Sequence, residues 1–204
     1  MRPFTEGKLL VATHNEGKLD EMRALFAPFG IEVVGAAEFG LPEPEETEES
    51  FVGNARIKAR AAMEVTGLPV LADDSGITVD GLDGQPGVHT ADWAATEAGR
   101  DFMVAMTRTW NELEARSIPE PRAAQFRATL LMLWPDGHEE VFEGVAPGRL
   151  VWPPRGRLGH GYDPIFVPDG HDRTYAEMSA DEKNAISHRA EAFRKLSAIF
   201  HRDG

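Results

Sequence analysis

The chain has 204 residues, of which 42% are hydrophobic and 27% are charged, a composition that fits one globular domain spanning residues 1–204. It has no cysteine and no run of about 18 apolar residues, which excludes disulfide-stapled and membrane-spanning proteins and makes a cytoplasmic location the expectation. Its net charge of −13 argues against binding to nucleic acid polymers or anionic membranes, because such binding depends on many Lys and Arg contacts to phosphate.

The sequence opens with a predicted strand, turn and helix. Residues 8–13 are apolar and short enough for a buried strand, and residues 15–30 carry apolar side chains at helical spacing. Residues 31–36 then predict a second strand.

An acidic, proline-containing loop at residues 41–50 leads into an alanine-rich segment at 51–66 that predicts a helix. On this helix Asn54 and Lys58 are four residues apart and therefore share one face. Most carboxylates of the loop are expected to be solvated, although one or two can serve as ligands.

The rest of the chain predicts a strand at 68–72 that gives way to a turn at Asp73, a helix at 99–116 and a β-hairpin at 123–146. A final helix is expected to begin near Ser179. Strands that alternate with helices and are followed by a hairpin predict an α/β fold with a mixed sheet.

The segment "THNEGK" at residues 13–18 follows the first strand and opens the first helix. Free backbone N–H groups and the helix dipole favour an anion such as phosphate there, and Lys18 adds a full positive charge. The segment does not match a P-loop, because Ala12 and Leu19 occupy positions where that motif needs Gly and Ser or Thr. An ordinary capped helix start is the alternative.

Asp73 and Asp74 are adjacent carboxylates, and such like charges are costly unless a cation or a proton offsets them. Together with a Glu from the acidic loop they would suit Mg²⁺, which prefers hard oxygen ligands and takes others from phosphates. The alternative is an Asx turn at the strand exit.

Two later segments carry further polar side chains: "GHGYDPIF" at 159–166 and "KNAISHR" at 183–189. Taken alone, the first is more typical of a structural turn with a packed Tyr, and the second of solvated helix charges. In one helix from Ser179, Lys183 would lie on a different face from His188 and Arg189.

Five motifs occur in order across residues 13–189: "THNEGK", "EET…FVGNARIKA", "LADDSGITVDGLDGQPG", "GYDPIF" and "EKNAISHR". In these five motifs and their order, the chain resembles the inosine triphosphate pyrophosphatase family. The resemblance implies hydrolysis of the non-standard purine nucleoside triphosphates ITP, dITP and XTP to the monophosphate and pyrophosphate. It also implies an elongated mixed α/β fold with two lobes around a substrate cleft, a homodimer, and a requirement for Mg²⁺.

The resemblance also assigns roles to individual positions. Phosphate binding falls on Thr13, His14, Asn15, Glu16, Gly17, Lys18 and Lys58, with Asn15 and Lys18 as the principal contacts. The catalytic acid falls on Asp74, which shares the metal with Glu45 or Glu46, and Ser75 lies beside the substrate. The base-and-sugar pocket falls on His160, Gly161, Tyr162, Asp163, Lys183, His188 and Arg189.

The sequence departs from the family pattern at two places. Many members have Phe where this chain has His160, so stacking on a purine would involve an imidazole with a pH-dependent charge. Many also have Tyr and Arg in the segment that contains His89 and Asp92 here, and no role is transferred to that segment.

These assignments suggest a mechanism. Asp74 would orient or deprotonate a water that attacks the α-phosphorus, while Lys18 and Lys58 neutralise the phosphate oxygens. A donor such as Arg189 or Lys183 would donate a hydrogen bond to a 6-keto oxygen and would be left without an acceptor opposite an amino group.

Two alternative functions stay open from the sequence. One is a pyrophosphatase for modified pyrimidine triphosphates, similar to the septum-formation inhibitor family. The other is a nucleotide-binding module without turnover.

Overall fold

The structure, a computed structural model, describes residues 1–200. Its strands are β1 (Lys8–Val11), β2 (Glu32–Gly35), β3 (Val70–Val79), β4 (Ala95–Thr96), β5 (Gly99–Arg100), β6 (Arg122–Leu133), β7 (Glu139–Leu150) and β8 (Phe166–Pro168). Its α-helices are α1 (Glu16–Phe26), α2 (Phe51–Thr66), α3 (Phe102–Ala115), α4 (Ala180–Asn184) and α5 (His188–Ser197). Within residues 1–200, none of these helices has the length and apolar character needed to cross a membrane.

Six strands form one sheet in the order β2-β1-β3-β6-β7-β8, and β4 with β5 forms a separate antiparallel pair. Strand β1 pairs in parallel with both β2 and β3, whereas β7 and β8 are antiparallel. The sheet is therefore mixed, which confirms the fold class predicted from the alternating strands and helices.

The described chain divides into two compact units. Unit 1 contains residues 1–74, 129–143 and 192–200. Its core joins the apolar faces of β1 and β3 to the alanine face of α2, where Ala55, Ala59 and Ala62 are buried. Small side chains on that face let the helix lie close to the sheet.

Unit 2 contains residues 75–128 and 144–191. Its core includes the aromatic side chains of Trp93, Phe166 and Tyr175. Phe126 packs edge-on against Phe166, with ring centroids 4.7 Å apart. Such rings fix the positions of the loops that emerge from this core.

The helices of unit 1 begin at side-chain caps. The Asn15 side chain accepts the backbone N–H of Lys18 at the start of α1, and Ser50 accepts that of Gly53 at the start of α2. These bonds satisfy N–H groups that have no partner inside the helix. They also fix where Lys18 and the acidic loop meet the sheet.

One sequence prediction about the central strand is wrong. Asp73 and Asp74 do not begin a turn, because β3 continues through them to Val79. Strand β1 pairs with β3 only at Val70 and Leu71, so the two aspartates lie just past the end of β1. The acids therefore occupy a strand that has lost its neighbour on one side.

The prediction of one final helix from Ser179 is also wrong. The predicted capping box of Ser179 and Glu182 forms, but it opens only the short helix α4. The Ser187 hydroxyl then accepts the N–H of Ala190 and starts α5 as a separate helix. The break changes the direction in which Lys183 points relative to His188.

Candidate active site

The carboxylates of β3 contact the amino end of α1 in unit 1. Lys18 Nζ lies 2.6 Å from Asp73 Oδ2, and this ion pair is half-buried. Thr13 Oγ1 accepts the N–H of Asn15, and His14 Nε2 lies 2.7 Å from the carbonyl oxygen of Leu41. The segment predicted to bind phosphate is thus a capped helix start with Lys18 already beside a carboxylate.

Two other predicted members of this segment lie in the first turn of α1. Glu16 is exposed and is the first residue of the helix, and Gly17 follows it. An acidic residue in the first turn is favourable for the helix dipole. The structure therefore gives Glu16 a role in the helix and brings Lys18 toward the acids.

Helix α2 presents Asn54 and Lys58 to the second aspartate. Lys58 Nζ lies 2.8 Å from Glu46 Oε1, and the Asn54 amide lowers the pKa of the nearby Asp74 carboxylate. Asp73 pairs with Lys18 on α1 and also raises the pKa of Lys58, so both aspartates act on α2.

The charges in this group shift each other's pKa values. The pKa of Asp74 is raised to about 6. Burial is the largest cause, the carboxylates of Glu46 and Asp73 also raise it, and Lys58 and Asn54 partly oppose the rise. Burial alone would lower the pKa of Lys58, but Asp73, Glu46 and Asp74 outweigh it and raise that pKa. At neutral pH the group therefore contains an ammonium and a carboxylate that is poised to take up a proton.

The donor set of this group fits a divalent cation. Glu46, Asp73 and Asp74 supply hard oxygen atoms around one lysine, which is the ligand type that Mg²⁺ prefers. Of the predicted pair, the structure brings Glu46 to the group, whereas Glu45 is exposed in the loop. Among residues 1–200, however, no group of three or more His, Asp or Glu side chains is placed to hold a metal ion, so the fit lies in the type of these donors and not in their arrangement.

A second polar group surrounds Asp163 in unit 2. The Asp163 side chain is only 2% exposed, and its Oδ2 accepts the N–H of His160 at 3.0 Å and forms an ion pair with Lys183. Gly159 has a positive φ of 71°, and a Cβ on it would lie 2.2 Å from Asp163 Oδ2. The glycine-rich loop therefore folds tightly over a buried carboxylate.

His188 lies beside this group and is 6% exposed. Its ring stacks on Phe126 with centroids 5.0 Å apart and an interplanar angle of 13°. The pKa of His188 is lowered to about 3. Burial is the largest cause, and the positive charges of Arg189 and Lys183 and the nearby His160 contribute to the same decrease. The imidazole is therefore neutral at pH 7, and its buried Nδ1 has no hydrogen-bond partner among the described residues.

The break between α4 and α5 explains why these residues converge. Lys183 contacts Asp163 and lies 5.3 Å from the centre of the Tyr175 ring, while Arg189 reaches to 3.5 Å from the Ser75 hydroxyl. In a single helix from Ser179, Lys183 would lie on a different face from His188 and Arg189.

Tyr162 does not join the exposed polar atoms of this group. Its ring is 1% exposed, and its hydroxyl donates to the carbonyl oxygen of Thr90 at 3.2 Å. Burial raises the pKa of Tyr162 to about 12. Gly161, with φ of 65°, carries the chain from the exposed His160 to this buried ring. The Tyr162 ring is therefore packed, and a role for this residue in a base-and-sugar pocket stays a prediction.

Asn54 is the residue that the site prediction missed. It is 2% exposed and contacts Asp74, although it was recognised only as sharing a face with Lys58. A buried amide on an alanine-rich helix, one turn before a lysine, was the available signal.

Known proteins resemble this chain over nearly its whole length. The Ham1 family model matches residues 9–199. A dITP/XTP pyrophosphatase of Ruegeria pomeroyi is 68% identical, with 96% of each chain covered, and one of Brucella melitensis is 52% identical, covering 95% of this chain and 93% of the relative. The structure of a HAM1 protein from Coxiella burnetii superposes with a TM-score of 0.89 at 38% identity, over 95% of this chain and 98% of that one. The chain therefore belongs to the Ham1 family, which confirms the resemblance seen in its sequence.

Proposed function

We propose that this chain is a hydrolase that converts ITP, dITP and XTP to the corresponding monophosphate and pyrophosphate. The observation that carries the proposal is the group in unit 1, in which Asp74 lies with Glu46 and Asp73 around Lys58. The names of the relatives from Ruegeria pomeroyi and Brucella melitensis give the same substrate class. A cytoplasmic location and a homodimer are further parts of this proposal.

In the proposed reaction, Asp74 accepts a proton from the water that attacks the α-phosphorus. A base with a pKa of about 6 is ionised at neutral pH and still accepts a proton readily. Lys18 and Lys58 contact phosphate oxygens as negative charge moves to the departing pyrophosphate. The amino end of α1 attracts the phosphate chain through its helix dipole and the charge of Lys18.

We propose that the enzyme uses Mg²⁺ and that Asp74 and Glu46 hold this cation. When bound, it would neutralise phosphate charge and polarise the phosphoryl group. The two carboxylates also counter the charge of Lys58, so the lysine must release Glu46 or share it when a triphosphate arrives.

We assign recognition of the base to His160, Lys183, His188 and Arg189. The neutral His188 offers a buried nitrogen that has no partner within residues 1–200, and Lys183 and Arg189 supply donors that suit a 6-keto oxygen. An adenine amino group facing such donors leaves them unsatisfied, which costs far more than a lost apolar contact. Asp163 is assigned to holding Lys183 and the loop in place.

Pyrophosphate release from a nucleotide panel tests this proposal. We expect ITP, dITP and XTP to react at least about 100-fold faster than ATP, in line with discrimination by polar contacts. Addition of EDTA should stop the reaction, and Mg²⁺ should restore it. Preference for modified pyrimidine triphosphates would support the septum-formation-inhibitor-like alternative instead, and binding without release would support a non-catalytic module.

A further inference from the structure

Asn54 links two parts of unit 1 that come from distant positions in the sequence. Its side-chain oxygen accepts the N–H of Glu48 in the acidic loop at 2.9 Å. The same amide lies near the Asp74 carboxylate on β3 and lowers its pKa. At 2% exposure, bulk water cannot replace the bond to Glu48, so losing it would leave a buried polar group unsatisfied.

The acidic loop is held against α2 at a second point. The Ser50 hydroxyl accepts the N–H of Gly53 at 3.0 Å, and a Cβ on Gly53 would lie 2.6 Å from the Cβ of Glu48. The loop therefore lies directly on the first turn of the helix. Because Glu46 is two residues before Glu48, the bond from Asn54 also limits where the Glu46 carboxylate can lie.

We propose that Asn54 is a positioning residue that holds the Glu46-bearing loop beside Asp74 in one arrangement. Its oxygen holds the loop through the N–H of Glu48, so one amide limits where the Glu46 carboxylate lies relative to Asp74. This inference rests on the proposed function and adds to it a residue that does not itself contact the substrate.

The surrounding charges show why an amide suits this position. The amide lowers the pKa of Asp74, which lies near Glu46, Asp73 and Lys58. A lysine at position 54 would compete with Lys58 for the acids, and a carboxylate would repel them. A neutral side chain with an acceptor for the N–H of Glu48 avoids both effects.

Two variants test the amide. Asn54→Leu keeps most of the volume and removes the bond to Glu48, whereas Asn54→Asp keeps an acceptor for Glu48 N–H but replaces the amide nitrogen near Asp74 with a carboxylate oxygen. The matched control is Thr66→Val at the far end of α2, which removes the hydrogen bond from the Thr66 hydroxyl to the carbonyl of Ala62.

We expect both Asn54 variants to lower kcat for pyrophosphate release from ITP by about 10- to 100-fold, the usual cost of losing a supporting hydrogen bond. KM should change by less than about 3-fold, because the substrate contacts remain. Glu46→Gln should cost less in the Asn54→Leu background than in the wild type, because Asn54 acts partly through Glu46. Thr66→Val should leave kcat within about 2-fold.

Binding of Mn²⁺ to the free protein, followed by its electron paramagnetic resonance signal, gives a readout that needs no turnover. Asn54→Leu should weaken this binding by about 10-fold, and Thr66→Val should not. A folded Asn54→Leu with unchanged kcat and Mn²⁺ affinity would overturn the proposal, as would equal losses in Thr66→Val. If Asn54→Leu does not fold, the kcat of Asn54→Asp decides. A wild type that releases no pyrophosphate would refute the proposed function, while the Mn²⁺ series would still decide the role of Asn54.

Discussion

At the scale of single residues, Asp74 shows a conflict between stability and chemistry. Its pKa is raised from 3.8 to about 6, first by burial and then by the neighbouring carboxylates. The folded protein therefore binds more protons than the unfolded chain between these two pH values, and its stability falls as the pH rises through that window. Above about pH 6 the ionised carboxylate destabilises the metal-free fold.

Asp74→Asn should therefore raise stability and abolish turnover together. Removing the buried charge should stabilise the metal-free protein by about 2 kcal/mol at about pH 8 and by much less at about pH 4. The same variant should still bind ITP, because Lys18 and Lys58 remain, but it lacks the base. Urea unfolding at the two pH values and pyrophosphate release measure the two effects.

Asp80→Asn is the matched control for this experiment, because Asp80 is an exposed carboxylate outside the group. It should change neither the stability nor kcat appreciably. Near-normal turnover by Asp74→Asn would remove Asp74 from the chemistry.

His188 shows the opposite dependence on pH. Its pKa is lowered from 6.5 to about 3, so the unfolded chain binds more protons than the folded protein between these pH values. The contribution of neutral His188 to the free energy of unfolding is fully present above about pH 6.5. It decreases as the pH falls, by about 2 kcal/mol at about pH 5. His188→Phe should keep the stacking on Phe126 and remove this part of the pH dependence.

Thermal unfolding of wild type and His188→Phe between about pH 5 and 8 measures this difference. The control is His171→Phe, which makes the same substitution at an exposed histidine. Parallel pH profiles for wild type and His188→Phe would show that His188 is not buried in its neutral form.

At the scale of elements, the glycine-rich loop before Asp163 depends on the absence of a side chain. Gly159 and Gly170 both have positive φ angles, 71° and 79°, but only Gly159 faces an atom that a Cβ would strike. Gly159→Ala should therefore displace the Asp163 carboxylate from Lys183 and destabilise the fold by about 1 to 3 kcal/mol more than Gly170→Ala. Urea unfolding midpoints of the two variants give the comparison, and equal losses would contradict it.

The element boundaries show what the sequence could predict. Helix α2 was predicted with the bounds that the structure has, because its cap at Ser50, its alanines and its terminal Gly67 all agree. Strand β3 was predicted too short, because Asp, Ser and Gly are typical of turns and pairing with a neighbouring strand cannot be read from one segment.

The break between α4 and α5 was missed for a related reason. Residues 179–200 keep an apolar spacing that fits one helix, and only Ser187, which caps α5, marks the restart. A serine inside a helical pattern is common, so this signal is weak without the structure. The break matters because it brings Lys183 near His188.

At the scale of the whole molecule, the positive charges are distributed in a way that matches the proposed substrate. The chain carries a net charge of −13 and only five lysines. Lys18, Lys58 and Lys183 are each half-buried and paired with a carboxylate in one of the two polar groups. We expect the phosphates of the substrate to bind beside Lys18 and Lys58, in spite of the acidic charge of the chain.

The sequence predicted the members of the two polar groups, around Asp74 and around Asp163, better than it predicted the contacts that these residues make. Motif order and the family resemblance gave Lys18, Lys58 and Asp74, but they did not distinguish Glu45 from Glu46. That distinction depends on how the acidic loop lies on α2, which Gly53 and Asn54 determine. The resemblance also assigns Tyr162 to a pocket; its ring lies in the core of unit 2, and its part in binding stays a prediction.

The position of bond cleavage tests the central claim, that Asp74 directs water to the α-phosphorus of a non-standard purine triphosphate. Hydrolysis of ITP in water labelled with heavy oxygen, followed by mass spectrometry of both products, locates the attacked phosphorus. The account predicts that the label enters inosine monophosphate and that the pyrophosphate carries none. Label in pyrophosphate, or release of single phosphates, would contradict it.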